Sequence, residues 1–141
     1  MAESPIIAVL AALAGRRFPL EDEKQTQAAM EAVLRHEFRG RMQREVRIMG
    51  GIIDFVVWPL DPAQLPRPPA GSAPAESVGA NAIGIEVKIK GQPREILRQV
   101  RGYAWEPTLA GLILATAKPV PSDGELCGKP FVVLDLARAW L

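Results

Sequence analysis

Hydrophobic and polar positions recur along this chain with two periods, one typical of helices and one typical of strands. Residues 4–15 are apolar almost throughout, with Ser4 and Pro5 as start signals and Gly15 as a stop signal, so they predict a helix. Residues 20–38 repeat their hydrophobic positions at helical spacing and predict a second helix. Because the first helix is apolar nearly all round, we expect core burial, with packing on another subunit as the alternative.

Three predicted strands follow these helices. Residues 44–49 and 52–58 form an apolar-rich pair, and the Gly-Gly sequence at 50–51 predicts a two-residue hairpin turn between them. Residues 82–90 alternate strictly, which predicts a strand with one apolar and one polar face. The first two strands should therefore be antiparallel neighbours.

The remaining sequence predicts a helix from Pro93 to about Trp105, strands over 111–117 and 129–136, and a short terminal helix. The core of this element order is α-β-β-β-α-β. It predicts an α/β fold in which a mixed central sheet is flanked by helices.

A proline-rich segment interrupts the strands. Six of the thirteen prolines fall between Pro59 and Pro74, which excludes a regular ladder or helix there. We interpret residues 59–81, approximately, as a loop insertion, because neither flank alone has enough elements for a core. The 141 residues, 48% of them hydrophobic, thus predict a single domain over 1–141.

Overall charge and cysteine usage exclude several classes of partner. The net charge of +1 gives no global field for a polyanion, so nucleic acid would have to meet a local basic patch. The single cysteine, Cys127, excludes an internal disulfide and a cysteine-based zinc site. The apolar N-terminal segment is too short to span a bilayer, so we expect no membrane association and a cytoplasmic location.

Asp54 is the first candidate for chemistry, because it interrupts an otherwise apolar strand and a buried, unpaired carboxylate costs several kcal/mol. By alternation it shares a strand face with Ile52 and Val56. Glu86 and Lys88 share the polar face of the next strand. Two neighbouring strands could therefore bring two carboxylates and one ammonium together, a set that suits a hard divalent cation and a phosphate.

The motif GGIID followed by IEVKIK resembles the PD-(D/E)xK nuclease superfamily. Its signature is an acidic residue on a hairpin strand and then acidic-x-Lys on the next strand; Ile53 stands where the superfamily name has proline. The resemblance covers roughly residues 21–117, and the layout is similar to VRR-NUC and Holliday-junction-resolvase-like nucleases. It implies a restriction-endonuclease-like fold.

The resemblance also implies a site. Asp54, Glu86 and the backbone carbonyl of Val87 would hold Mg²⁺ or Mn²⁺, and Lys88 would orient a water or stabilise charge on the phosphate. A glutamate of the first core helix often reaches the metal in such nucleases. Helical spacing favours Glu23 for this role, with the other candidates being Glu31 as second choice and Glu21.

Many superfamily members carry Gln-x-x-x-Tyr on the helix after the lysine strand. Here Gln99 and Tyr103 have that spacing and should point to the same end of the site. Near them lies a predicted DNA-binding patch, for which solvated helix charges are the alternative explanation, made of Lys90, Arg94, Arg98 and Arg101.

The resulting hypothesis is Mg²⁺-dependent hydrolysis of DNA by a structure-directed endonuclease, without an organic cofactor. An exonuclease acting on DNA ends is the enzymatic alternative. A non-catalytic DNA-binding or assembly subunit with the same fold is an alternative from another class, and an incidental polar sheet face is a third. Junction cleavage would favour a homodimer. By analogy, we expect a bacterial or phage-encoded protein.

Overall fold

The computed structural model describes residues 4–60 and 81–141. These ranges contain three α-helices and six strands. The helices are α1 (Pro5–Leu13), α2 (Glu23–Glu37) and α3 (Pro93–Tyr103), followed by a short 3-10 helix at Arg138–Trp140. The strands are β1 (Met42–Ile48), β2 (Gly51–Val57), β3 (Ala82–Lys88), β4 (Leu109–Thr116), β5 (Glu125–Leu126) and β6 (Lys129–Asp135).

The six strands form one mixed sheet in the order β1-β2-β3-β4-β6-β5. The β1-β2-β3 half is antiparallel, and β3, β4 and β6 run parallel. α3 is the crossover between the parallel strands β3 and β4. The predicted α/β class, a mixed sheet flanked by helices, is therefore confirmed.

Helices cover both faces of this sheet. One core cluster joins α1 and α2 to β2, β3 and β4, and the other joins α3 to the opposite face of the same strands. Val9 and Leu13 of α1 are buried in the first cluster, which confirms core burial of this helix. No helix in the two described ranges has the length and apolarity needed to cross a membrane.

Several element bounds differ from the prediction for local reasons. α2 begins at Glu23 because Asp22 caps it, accepting a hydrogen bond from the Lys24 backbone. The hairpin turn lies at residues 49–50 and not 50–51, since Ile48 pairs with Gly51. β5 was not predicted, because two residues carry no readable period. Most of the predicted loop over 59–81 falls on 61–80, outside the described residues.

The polar positions of β3 do not form a solvated face, which was the alternative explanation for Glu86-x-Lys88. Every residue of β3 except Lys88 is buried, and Glu86 is only 2% exposed. The reason is position, because β3 lies between β2 and β4 and α3 covers the face that carries Glu86. This burial raises the free energy of the ionised form of Glu86.

The hairpin tip is fixed to α3 by a close backbone contact at Gly50, which has φ +87°. A Cβ added at Gly50 would lie 2.8 Å from the Gly102 carbonyl carbon. We expect Gly50→Ala to destabilise the protein by about 2–4 kcal/mol, combining left-handed strain with a backbone clash. Gly40→Ala is the matched control, with φ +71° and nothing within 4 Å of the added Cβ. Equal decreases in unfolding free energy in urea would contradict the contact.

Candidate metal centre

Asp54 and Glu86 meet where the β2-β3 ladder opens. The last paired residues on this side are Phe55 and Ile85. Beyond them the Asp54 N–H donates to Glu86 Oε1 at 3.1 Å, and the Val87 N–H donates to Asp54 Oδ2 at 2.8 Å. Each carboxylate thus accepts a backbone hydrogen bond from the other strand. These two hydrogen bonds replace the backbone ladder between β2 and β3 and hold the two side chains next to each other.

At Asp54, the side chains of the β1-β2 hairpin switch from one face of the sheet to the other. The cross-strand pair Arg44 and Phe55 packs toward α2, whereas the next pair, Val46 and Ile53, packs in the cluster with α3. Strict alternation would put both pairs on one face. Glu45, opposite Asp54 in this register, has φ +55°, which marks the irregularity.

This irregularity corrects the predicted face of Asp54. Val56 lies in the α3-side cluster together with Ile53, so alternation fails between them. Ile52 is exposed. Asp54 therefore does not share one regular face with Ile52 and Val56. Its carboxylate is directed along the sheet to the edge of β3, where the backbone of Val87 lies.

Glu86 lies in a low-dielectric environment that favours its neutral form. Burial, and secondly the negative charge of Asp54, raises the pKa of Glu86 to about 8. Lys88 acts in the opposite direction, with Nζ 3.8 Å from Glu86 Oε2. Because a cation binds the ionised form, cation binding at Glu86 would be linked to release of its proton.

Tyr103 and Gln99 hold the other side of Glu86. The Tyr103 hydroxyl donates to the Ile52 carbonyl at 2.9 Å and lies 3.3 Å from Glu86 Oε2. Gln99 Nε2 donates to the same hydroxyl at 2.9 Å. Burial, followed by the charge of Glu86, raises the pKa of Tyr103 to about 12, so the phenol stays neutral. Gln99 and Tyr103 thus reach the site together from α3.

Asp54 is held by a residue whose role was not predicted, Gln27 of α2. Gln27 Nε2 donates to Asp54 Oδ1 at 3.2 Å, while its Oε1 accepts from Arg44 Nη2 at 3.2 Å. Because Arg44 can only donate, it fixes which end of the amide faces Asp54. The sequence signal was weak: Gln27 follows Glu23 by one helical turn, but nothing marks its partner.

The glutamates predicted for the helix position lie in three different places. Glu23 Oε1 accepts from the Ile89 N–H at 3.1 Å, two residues beyond Val87 and therefore about 7 Å farther along the strand. Glu31 is ion-paired with Arg44 and Arg35, and the Arg35 hydrogen bond is the main cause that lowers its pKa.

Glu21 is exposed and precedes α2. Among the residues that the structure describes, no three His, Cys, Asp or Glu side chains group closely enough to hold a metal ion. The structure therefore groups Asp54 with Glu86 but does not add Glu23 as a third carboxylate.

The donor set nevertheless fits a hard cation. Mg²⁺ is commonly held by one or two carboxylates, with waters and substrate phosphate completing the shell. Each carboxylate oxygen of Asp54 and Glu86 has a second lone pair beyond its present hydrogen bond. The Val87 N–H donates to Asp54, and the N–H and C=O of a strand residue share one edge, so the Val87 carbonyl lies on the edge of β3 next to β2. Asp54 and Glu86 meet at this edge.

The four basic residues of the predicted DNA-binding patch are all exposed: Lys90, Arg94, Arg98 and Arg101. None of them forms an ion pair within residues 4–60 and 81–141. They lie on or beside α3, the helix that carries Gln99 and Tyr103 into the site. The three arginines occupy the outward side of α3, across the helix from Tyr103.

Comparison with models of known protein families, with curated proteins and with solved structures found no match to this chain. The resemblance to PD-(D/E)xK nucleases is therefore a hypothesis that depends on the motif and the geometry alone.

The raised pKa of Glu86 predicts that stability depends on pH in metal-free buffer. The native state retains a proton that the unfolded chain releases near its ordinary value of 4.5. Unfolding free energy should therefore fall as pH rises from about 5 to 8, with a slope approaching 1.4 kcal/mol per pH unit. Denaturant titrations of wild type and Glu86→Gln measure it. Parallel pH curves for the two proteins would contradict the assignment.

The Gln27 hydrogen bond predicts an effect on cation affinity. Gln27→Leu removes the donor that orients Asp54, and removal of such a supporting group typically weakens metal binding by about 10-fold or more. Calorimetric titration with Mn²⁺ measures the change. Gln25→Leu is the matched control, because Gln25 is exposed on the same helix. Unchanged affinity in Gln27→Leu would show that Gln27 does not orient the ligand.

Proposed function

We propose that this chain is a Mg²⁺- or Mn²⁺-dependent deoxyribonuclease that hydrolyses phosphodiester bonds by structure-directed endonucleolytic cleavage. The observation that carries the proposal is the interlocked pair Asp54 and Glu86, with Lys88 3.8 Å from Glu86. A buried carboxylate beside a half-buried one, with a lysine at an opening in a sheet, has little structural benefit without a cation.

The topology supports a restriction-endonuclease-like fold. The order α2-β1-β2-β3-α3-β4 corresponds to the α-β-β-β-α-β core that the resemblance implies. Asp54 lies on the second hairpin strand and Glu86-Val87-Lys88 on the next, as the signature requires. The motif and the element order therefore both support the proposal.

Each residue of the site has a defined task under this proposal. Asp54, Glu86 and the Val87 carbonyl would hold the cation. The chemistry that such a cation supplies is a lower pKa for a water molecule and neutralisation of the phosphate charge. Lys88, with a quarter of its side chain exposed, can contact the substrate phosphate or hold the attacking water.

The surrounding residues keep these groups in place. Tyr103, supported by Gln99, restrains Glu86, and Gln27 restrains Asp54. Glu23, hydrogen-bonded to the end of β3, is placed to act through water and not as a direct ligand. Because several hydrogen bonds define the two carboxylates before any substrate arrives, little reorganisation is needed for catalysis.

The decisive experiment is cleavage of a DNA panel of single-stranded, duplex, flapped and four-way-junction substrates in Mg²⁺. We expect wild type to cleave at internal sites, and the rate to fall by at least about 100-fold in Asp54→Asn or Lys88→Ala. Lys24→Ala is the matched control, since Lys24 is exposed on α2 and outside the site. Chelation of divalent cations should abolish activity.

Several outcomes would count against the proposal. Retained cleavage in either site variant would remove the assignment. Products that shorten only from labelled ends would favour the exonuclease alternative. Absence of Mg²⁺ and Mn²⁺ binding to wild type by calorimetry, both without and with DNA, would favour a non-catalytic DNA-binding or assembly subunit. Size measurement in solution tests the predicted homodimer separately.

A further inference from the structure

The outward side of α3 carries a line of three arginines that ends in a tryptophan. Arg94, Arg98, Arg101 and Trp105, called the outer stripe below, are spaced by four, three and four residues. This spacing puts them on one side of a helix, with neighbours about 4.5–6 Å apart along its axis. Ala104 keeps helical angles (φ −64°, ψ −16°), so the line continues past the end of α3 to Trp105.

All members of the outer stripe are open to a ligand. Trp105 is 64% exposed, the most exposed aromatic side chain in the described ranges. Its three arginines form no ion pair in the described part of the chain, whereas Arg16, Arg35 and Arg44 each do. Asp123 and Glu125 line the same surface pocket as Arg101, but neither forms an ion pair with it. A row of cations attracts an extended anion more than a compact one.

The outer stripe is also within reach of the candidate site. The flank of α3 that faces the sheet supplies Gln99 and Tyr103, which contact Glu86. The stripe lies on the opposite side of the same helix, so a strand has to pass around half its circumference, about 16 Å for a diameter of about 10 Å. This corresponds to about five nucleotides at 3.4 Å each. One bound strand can therefore span both.

The residue types indicate which strand form is bound. Proteins that bind single strands combine a basic track for phosphates with aromatic side chains on which bases stack. In duplex DNA the base faces are covered by neighbouring pairs, so an exposed indole beside a basic track favours unpaired DNA. We propose that the outer stripe binds an unpaired DNA strand, with phosphates on the arginines and a base stacked on Trp105. This rests on the proposed function and narrows its substrate to DNA with a single-stranded segment.

The test measures binding without cleavage. Fluorescence anisotropy of labelled single-stranded and duplex oligonucleotides is recorded with wild type and variants in EDTA. We expect tighter binding to the single strand, and an affinity about 10-fold weaker for that strand in Trp105→Ala. Duplex affinity should change by less than about 2-fold. Trp140→Ala is the matched control, because Trp140 is 52% exposed but lies in the C-terminal 3-10 helix.

The salt dependence of DNA affinity tests the arginines independently of Trp105. Removing one arginine that binds a phosphate should reduce the slope of log affinity against log salt by about 0.7 for a single strand. We expect this for Arg94→Ala, Arg98→Ala and Arg101→Ala, and no change for Arg35→Ala, whose guanidinium is exposed and paired with Glu31. Equal slopes in all four variants would overturn the stripe as a phosphate track.

Failure of this inference is distinguishable from failure of the proposed function. Equal or tighter binding of duplex, together with no effect of Trp105→Ala, overturns the stripe even where cleavage depends on Asp54. Single-strand binding that requires Trp105, in a protein that never cleaves DNA, supports the stripe and overturns the nuclease. Absence of any DNA binding overturns the stripe as well.

Discussion

The structure depends on one interaction, in which two neighbouring carboxylates each accept a hydrogen bond from a backbone N–H of the other's strand. Asp54 accepts from β3 and Glu86 accepts from β2, at the level where the regular ladder between the strands stops. Two like charges so close, one of them only 2% exposed, would repel strongly in a low-dielectric interior. Burial, and secondly this repulsion, raises the pKa of Glu86 and favours its neutral form. A bound cation would offset the repulsion in a way that also serves catalysis.

Packing around the pair follows from this constraint. α3 has to cover Glu86 while offering it a polar contact, which Tyr103 provides with an otherwise buried ring. α2 has to approach Asp54 with a donor and not with a third carboxylate, which Gln27 provides because Arg44 turns its amide. The hairpin has to bring Asp54 out of its alternating face, which the irregularity at Glu45 allows.

Sequence patterning could predict the elements that carry the site but not the contacts that set it. Asp54 and Glu86-x-Lys88 stood out because charged residues broke strongly apolar strands, and the helix with Gln99 and Tyr103 had a clear period. The hydrogen bond between Gln27 and Arg44 could not be predicted from the sequence, since it depends on how α2 lies over β1. Burial of Glu86 was missed because alternation shows that a face is polar without showing what covers it. The face change at Asp54 contradicts alternation itself.

The positions of Glu23 and Gln27 show whether α2 contributes a carboxylate or a neutral amide beside Asp54. A helix carboxylate beside Asp54 would add a third negative charge and bind cations more tightly, but it would add to the repulsion already present when the cation is absent. Here the position that contacts Asp54 is a neutral amide, and Glu23 lies farther along β3 on the Ile89 backbone. Electrostatics therefore favours weak cation binding by the protein alone. Substrate phosphate would then supply the missing negative ligand, so that cation and DNA bind best together.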